Sequence, residues 1–315
     1  INSIQNPQQK FKPWQVADYR NLSSEQLFSE LARLGIRIDK NLFIALSNEV
    51  DSPDEIAEHL YPEADESQEL QDQIFLCVFE LWRRFVPERQ TLSLLCDELD
   101  YQIEAFDRGD QERYEGIEDV LSNLKTILDE NLDAGGSPQE LFGTVIKGCA
   151  HDLEGFLYDF IEKQIEIGNH LYAEELLESF SPYVIEGNWF KYLWVRILSE
   201  KDLNEAHRLL HQLTASAEEK KDPEFCFALL FYAAEAGEES VFFQLFKEIV
   251  PLLESEEDFL DLLDASEDFA HFKDNEGLER EISLIIQKRT SKRPESPFHR
   301  NDPDLQALIR LFIPK

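Results

Sequence analysis

Bulky apolar residues recur in steps of three and four along almost the whole of this 315-residue chain, and alternation with period two is confined to fragments such as "GIRIDKN" and "SPYVIEG". A step of three or four keeps one face of an α-helix apolar, whereas a strand half buried in a sheet needs a step of two. The chain is therefore expected to be all-α. Its 13 Pro and 12 Gly are few for the length and sit mostly between the periodic segments, as helix punctuation should.

That punctuation places the elements. Ser23 followed by Gln26 makes a capping box ahead of Leu27, Leu31 and Leu34, and Gly35 closes the helix. Ser52 and Pro53 open "DSPDEIAEHLYP", which stops before Pro62. Two longer helices follow, ending at Pro87 and near Gly109. The next, "DQERYEGIEDVLSNLKTILDENLDAGG", carries Ile117, Val120, Leu121, Leu124 and Leu128 on one face. Ala134-Gly135-Gly136 is the clearest internal break, and Ser137, Pro138 and Glu140 restart the helical pattern with a second capping box. The expected organisation is an extended arm over 1–22, with Trp14 and Tyr19 tucked onto the body, and a helical domain over 23–136. A repeat domain over 137–287 and a C-terminal segment over 288–315 complete it.

Charge narrows the partners. Acidic residues number 65 against 30 basic, a formal net charge of -35. Such a field repels nucleic-acid backbone and anionic membrane, both of which need a basic face, so neither is expected as a partner. A partner chosen by charge should be basic; much of the acid would serve simply as solvated helix faces. The longest apolar runs, "IFLCVF" and "FCFALLFYAA", fall short of the roughly 20 residues of a membrane span. No basic-plus-apolar leader opens the sequence. Cys77, Cys96, Cys149 and Cys226 lie far apart without ligand spacing and read as buried free thiols. A cytoplasmic protein is the expectation.

Motifs for catalysis are thin. "HRLLH" sets His207 and His211 at i and i+4, the geometry of a zinc pair, but Arg208 occupies the place where a zincin has its Glu. "CAHDLEG" offers His151 beside Asp152, the pairing found in helical metal-dependent phosphohydrolases, yet only His59 lies upstream to complete a site. An Asp at a helix start reads more simply as a cap. Phosphate loops, dinucleotide fingerprints and a serine elbow are absent, so no cofactor or metal is expected. A helical hydrolase around His151 and Asp152 stands as the alternative to a binding protein, and an acidic mimic of nucleic acid as a third reading.

The second half repeats. Ala173 in "GNHLYAEELLESF" and Ala206 in "KDLNEAHRLLHQL" are 33 positions apart, and Gly168, Lys201 and Gly237 follow one another at 33 and 36. Each unit pairs an aromatic-rich first helix with a tight turn and a second helix bearing Leu177, Leu210 or Phe246 at matching places. Over about residues 153 to 250 this resembles tetratricopeptide repeats in degenerate form. The third unit departs by placing Phe242 where the family has a small residue, and the family's Pro after the second helix is present only as Pro182. The resemblance implies helical hairpins stacked as an α-α superhelix, with a concave, partner-binding surface made by the first helices. Carried over position by position, that groove consists of Tyr158, Glu162, Lys191, Phe227, Phe231 and Glu235. Chaperone-clamping members of the family have Lys and Asn where Tyr158 and Glu162 stand, which disfavours that role here. The implied protein is a non-catalytic adaptor or chaperone-like scaffold for a protein or peptide segment with basic or amphipathic character.

The C-terminal segment changes composition. Lys288, Arg289, Lys292 and Arg293 precede Pro294, Pro297 and Pro303, which reads as an exposed basic linker. It leads into "DPDLQALIRLFIP", an amphipathic helix with Leu305, Leu308, Ile309, Leu311 and Phe312. That helix is expected either to cap the array or to fold back onto the acidic groove as an inhibitor.

Overall fold

A computed structural model describes residues 12–61, 67–109, 116–220 and 222–312. The chain is all-α: among the described residues there are sixteen α-helices and no strand, only an isolated bridge between Ser255 and Pro297. No described helix is long and apolar enough to cross a membrane. Contacts divide the chain into two units, one of residues 1–157 with 182–185 and the other of 158–181 with 186–315.

In the first unit, α1 (Ser24–Arg33), α2 (Lys40–Ser47), α3 (Pro53–Leu60) and α4 (Gln68–Phe85) share one core. The predicted capping box forms: the Gln26 N–H donates to Ser23 Oγ at 3.2 Å and the Ser23 N–H to Gln26 Oε1 at 2.7 Å. Gly35 closes α1 with φ +92, a left-handed conformation open to glycine. Trp82, fully buried on α4, donates its indole N–H to the Arg89 carbonyl at 3.0 Å, and the Arg89 guanidinium lies 4.8 Å over the indole ring. The arm residues Trp14 and Tyr19 rest on this body, Trp14 through a 2.9 Å bond to Glu69 and Tyr19 against the core. Residues 1–11 of the arm lie outside the described residues.

Helices α5 (Leu92–Asp107), α6 (Ile117–Asp133) and α7 (Pro138–Gly148) complete the unit. The five apolar residues expected on one face of α6 are all buried. The start expected for that helix, residues 110–115, lies outside the described residues. Ala134-Gly135-Gly136 is a turn inside this unit, since α7 packs on α5 and α6. The second capping box does not form: Ser137 stands at the N-cap of α7 but its hydroxyl makes no capping bond. Pro138 in the first turn has no N–H to satisfy, so the missing bond concerns one donor fewer.

The unit boundary falls within α8 (Leu153–Glu166). In the second unit α8 pairs with α9 (His170–Phe180), α10 (Gly187–Lys201) with α11 (Leu203–Lys220), and α12 (Pro223–Glu235) with α13 (Glu239–Ile249). A fourth hairpin, α14 (Glu256–Phe272) with α15 (Glu276–Arg289), extends the series beyond the three units legible in the sequence, and α16 (Pro303–Phe312) ends it. Three of the four turns share one geometry. Gly168, Gly237 and Asp274 have φ of 78, 68 and 49, and the following N–H in each returns to a carbonyl five residues back, at 2.8, 2.8 and 3.0 Å. This is the Schellman closure, which satisfies carbonyls left open at a helix end. Asp274 adopts it because a short polar side chain tolerates the left-handed region better than most.

At Gly237 the constraint is double, because a Cβ there would lie 1.9 Å from Cε1 of Phe272, whereas nothing lies within 4 Å of the same position at Gly168. Phe272 is 51% exposed, so its ring can swing aside. Gly237→Ala is expected to cost about 1–2 kcal/mol from backbone conformation plus the displaced ring, and Gly168→Ala the backbone cost alone. Urea denaturation of the two variants should rank them in that order.

The basic segment after α15 is not the exposed linker its composition suggests. Arg289 is 1% exposed and bonds Glu256, Asp302 and Asp304, and Phe298 is buried against Phe259 with ring centroids 4.7 Å apart. The carbonyls of Ser296 and Pro294 accept the N–H groups of Glu256 and Glu257, at 2.9 and 3.0 Å, so the strap supplies acceptors to the start of α14. Lys288, Lys292 and Arg293 do remain exposed. Beyond it, Leu305, Leu308 and Phe312 of α16 are buried in the second unit's core, where Phe312 packs on Phe246 at 5.1 Å and on Phe242 at 5.5 Å. The apolar face of α16 is therefore spent on the core of the second unit. Residues 313–315 lie outside the described residues.

Candidate functional site

The first helices of the second unit meet along a strip of aromatic and charged side chains. On α8 the apolar stripe of Leu157, Phe160, Ile161 and Ile165 is buried, which leaves Tyr158 and Glu162, one turn apart, half-buried at its edge. Tyr158 meets Trp189 of α10 edge-on at 5.6 Å and Phe190 at 6.3 Å. Trp189 meets Phe225 of α12 at 4.9 Å, and Tyr192 of α10 meets Tyr232 of α12 at 6.0 Å. Edge-to-face pairs of this kind add about 0.5–1.5 kcal/mol each beyond burial, so the strip is a braced surface.

Charge is organised along the same strip. Glu162 forms an ion pair with Arg196 of α10, 34 positions on. Burial raises the Glu162 pKa, and Arg196 offsets only part of that. Burial likewise pushes the Tyr192 phenol up to about 12, with Arg196 opposing and Glu162 and Glu235 reinforcing the shift. Tyr158 is raised by burial and then by Glu162. These phenols stay protonated at neutral pH. On α14, which packs beside α12, Glu257, Asp261, Asp264 and Asp268 line one helix face. Burial raises the pKa of Asp261, Asp264 and Asp268, and neighbouring carboxylates reinforce it, Glu257 first at Asp261 and Glu267 first at Asp264 and Asp268. Neither these four nor Glu235 has a Lys or Arg partner among the described residues.

The six residues drawn from the repeat pattern fall into two groups. Tyr158 and Glu162 belong to the strip, and Glu235 joins it through Tyr192. Phe227 and Phe231 sit one turn apart on α12, partly exposed and packed against the unit's core. Lys191 stands apart: it is exposed on α10, and Tyr192 and Arg196 are the residues of that helix that face α8 and α12. Trp189, Tyr192, Arg196 and Tyr232 were not singled out from the sequence. A signal for one of them exists, since Glu162 and Arg196 are opposite charges separated by the repeat length.

The residues of the alternative catalytic constellations have other partners. Asp152 caps α8, accepting the Gly155 N–H at 3.1 Å. The His151 ring lies 3.0 Å from Asp100, which also accepts the backbone N–H of Ala150 and His151. His207 turns to Glu238 at 2.5 Å, while His211 is exposed. Among the described residues no three His, Cys, Asp or Glu side chains converge as metal ligands would. Comparison of the chain with known protein families, curated proteins and solved structures finds no match.

Proposed function

We propose that the second unit is a tetratricopeptide-like array that holds a segment of another protein against the side formed by α8, α10, α12 and α14. In this reading the protein is a non-catalytic adaptor or chaperone-like scaffold. The observation that carries it is the juxtaposition on these helices of partly exposed rings, Tyr158, Trp189, Phe227 and Phe231, with carboxylates that lack cationic partners among the described residues. Asp261, Asp264 and Asp268 sit among further carboxylates, Glu257 and Glu267, that raise their pKa values, and Glu235 is exposed on α12. A partner segment with Lys or Arg interleaved with apolar side chains satisfies both features at once.

Selection of a random peptide library on the full chain tests the reading, with Phe231→Ala and Glu235→Lys variants as counter-targets. Recovered peptides should combine basic and large apolar residues, bind wild type at least about tenfold more tightly than either variant, and weaken as salt is raised. Peptides without a basic bias, or equal binding to variants that keep the wild-type circular dichroism spectrum, would remove this surface as the binding site.

A further inference from the structure

Two of the four cysteines, Cys96 and Cys149, are distant in sequence and close in space. Cys96 on α5 packs its sulfur against Gly148 at the end of α7, next to Cys149, and the two thiols are close enough to influence each other's ionisation. The Cys96 sulfur also lies 3.7 Å from the Val145 carbonyl, and a Cβ on Gly148 would come within 2.7 Å of it. Glycine at 148 thus leaves the room that lets this sulfur lie against the end of α7. One turn further along α5, Asp100 accepts the N–H groups of Ala150 and His151, each at 2.9 Å, and so holds the backbone following Cys149 against the same helix. Cys96 is buried, while Cys149 is partly exposed, so the pair has one member that a small solute can reach.

We propose that Cys96 and Cys149 are a reversible redox pair, which a peroxide closes into a disulfide joining α5 to the junction between α7 and α8. One thiol of the pair ionises and its sulfur attacks a peroxide oxygen. The O–O bond breaks, a sulfenic acid forms, and the departing hydroxide takes up the released proton as water. The second sulfur then attacks the sulfenic sulfur. The S–S bond forms as the S–O bond breaks, and hydroxide leaves with the second thiol's proton. Two thiols and one hydrogen peroxide give one disulfide and two waters, with both sulfurs oxidised and the peroxide reduced.

The environment favours this pair over the other cysteines. Interaction with the Cys149 thiol lowers the Cys96 pKa against the opposing effect of burial, so the first ionisation of the pair is eased. The same interaction, together with burial, raises Cys149. Cys77 is 1% exposed, and burial pushes its thiol up to about 12, while Cys226 is likewise 1% exposed.

The test treats the full chain with graded hydrogen peroxide, unfolds it, alkylates the remaining thiols and maps them by mass spectrometry. Cys96 and Cys149 should be lost together, at least about tenfold faster than Cys77 and Cys226, in a linked peptide that dithiothreitol restores. Replacing either cysteine, as Cys96→Ser or Cys149→Ser, should instead halt oxidation at a sulfenic acid on the one that remains, which dimedone traps. Oxidation of Cys149 to the sulfinic acid while Cys96 stays alkylatable, or loss of all four thiols at one rate, would overturn the assignment. Wild-type mapping decides even where a variant does not fold.

Discussion

Arg289→Ala will destabilise the protein by about 3–5 kcal/mol, several times the cost of removing an ordinary surface arginine. The guanidinium is 1% exposed and bonds Glu256 with two nitrogens, at 2.5 and 2.7 Å, while its third reaches Asp302 and Asp304 at 2.9 Å each. Its plane also lies 4.6 Å over Phe259 and 5.4 Å over Phe298. Truncation leaves Glu256, whose side chain is 3% exposed, with only Lys292 at 3.5 Å to offset its charge. An unpaired buried carboxylate is costly, and this one sits where the strap of residues 290–302 meets the start of α14. Removing both charges, as in Arg289→Met with Glu256→Leu, should recover much of the loss, because the desolvation cost of the pair disappears with it. Urea denaturation checks both variants, and a loss under about 1 kcal/mol for Arg289→Ala would place the network among weak surface pairs.

The same network sets a direction with pH. Burial alone would raise the Asp302 pKa, but hydrogen bonds from Arg289 and the Asp304 N–H outweigh it, so the folded value lies below the usual carboxylate range. A depressed folded pKa means that the contribution is complete above the unfolded value and is lost as pH falls through the folded one. The C-terminal strap should therefore loosen in acid, and Arg289→Met should flatten that dependence.

Helix existence was legible in the sequence because period and caps are local. Ser23 with Gln26, Ser52 before Pro53, and the buried face of α6 are decided within a few residues of chain. What escaped depended on distant neighbours. The strap reads as a solvated basic linker because its anchor, Glu256, lies 33 residues earlier than Arg289. The fourth hairpin was missed because it has neither of the small residues that mark the units before it, a turn Gly or an Ala five positions on, but Asp274 and Glu279 instead. Groove register was partly legible: apolar period shows which side of α10 is buried, but not that Arg196 rather than Lys191 would turn toward Glu162.

Phe242→Ala, which would give this hairpin the small residue found at the matching place of the two before it, will cost about 3–5 kcal/mol. Ala173 and Ala206 occupy those matching positions and are fully buried. At 242 the corresponding space is filled by a ring that stacks on Phe269 at 4.1 Å with an interplanar angle of 7°. Phe246 and Phe312 pack on the same ring at 6.1 and 5.5 Å. Because those neighbours are held by α13, α14 and α16, they cannot all collapse into the void, and the cavity term adds to the lost burial. The converse change, Ala206→Phe, will also destabilise, by about 1–3 kcal/mol, through overpacking. Denaturant midpoints measure both. Hydrogen exchange over α16 adds a separate readout, since Phe312 loses its seat only in Phe242→Ala. If that variant costs less than about 1 kcal/mol and leaves α16 protected, the aromatic cluster does not hold that helix, and the ring of Phe242 in place of a small residue has no structural role.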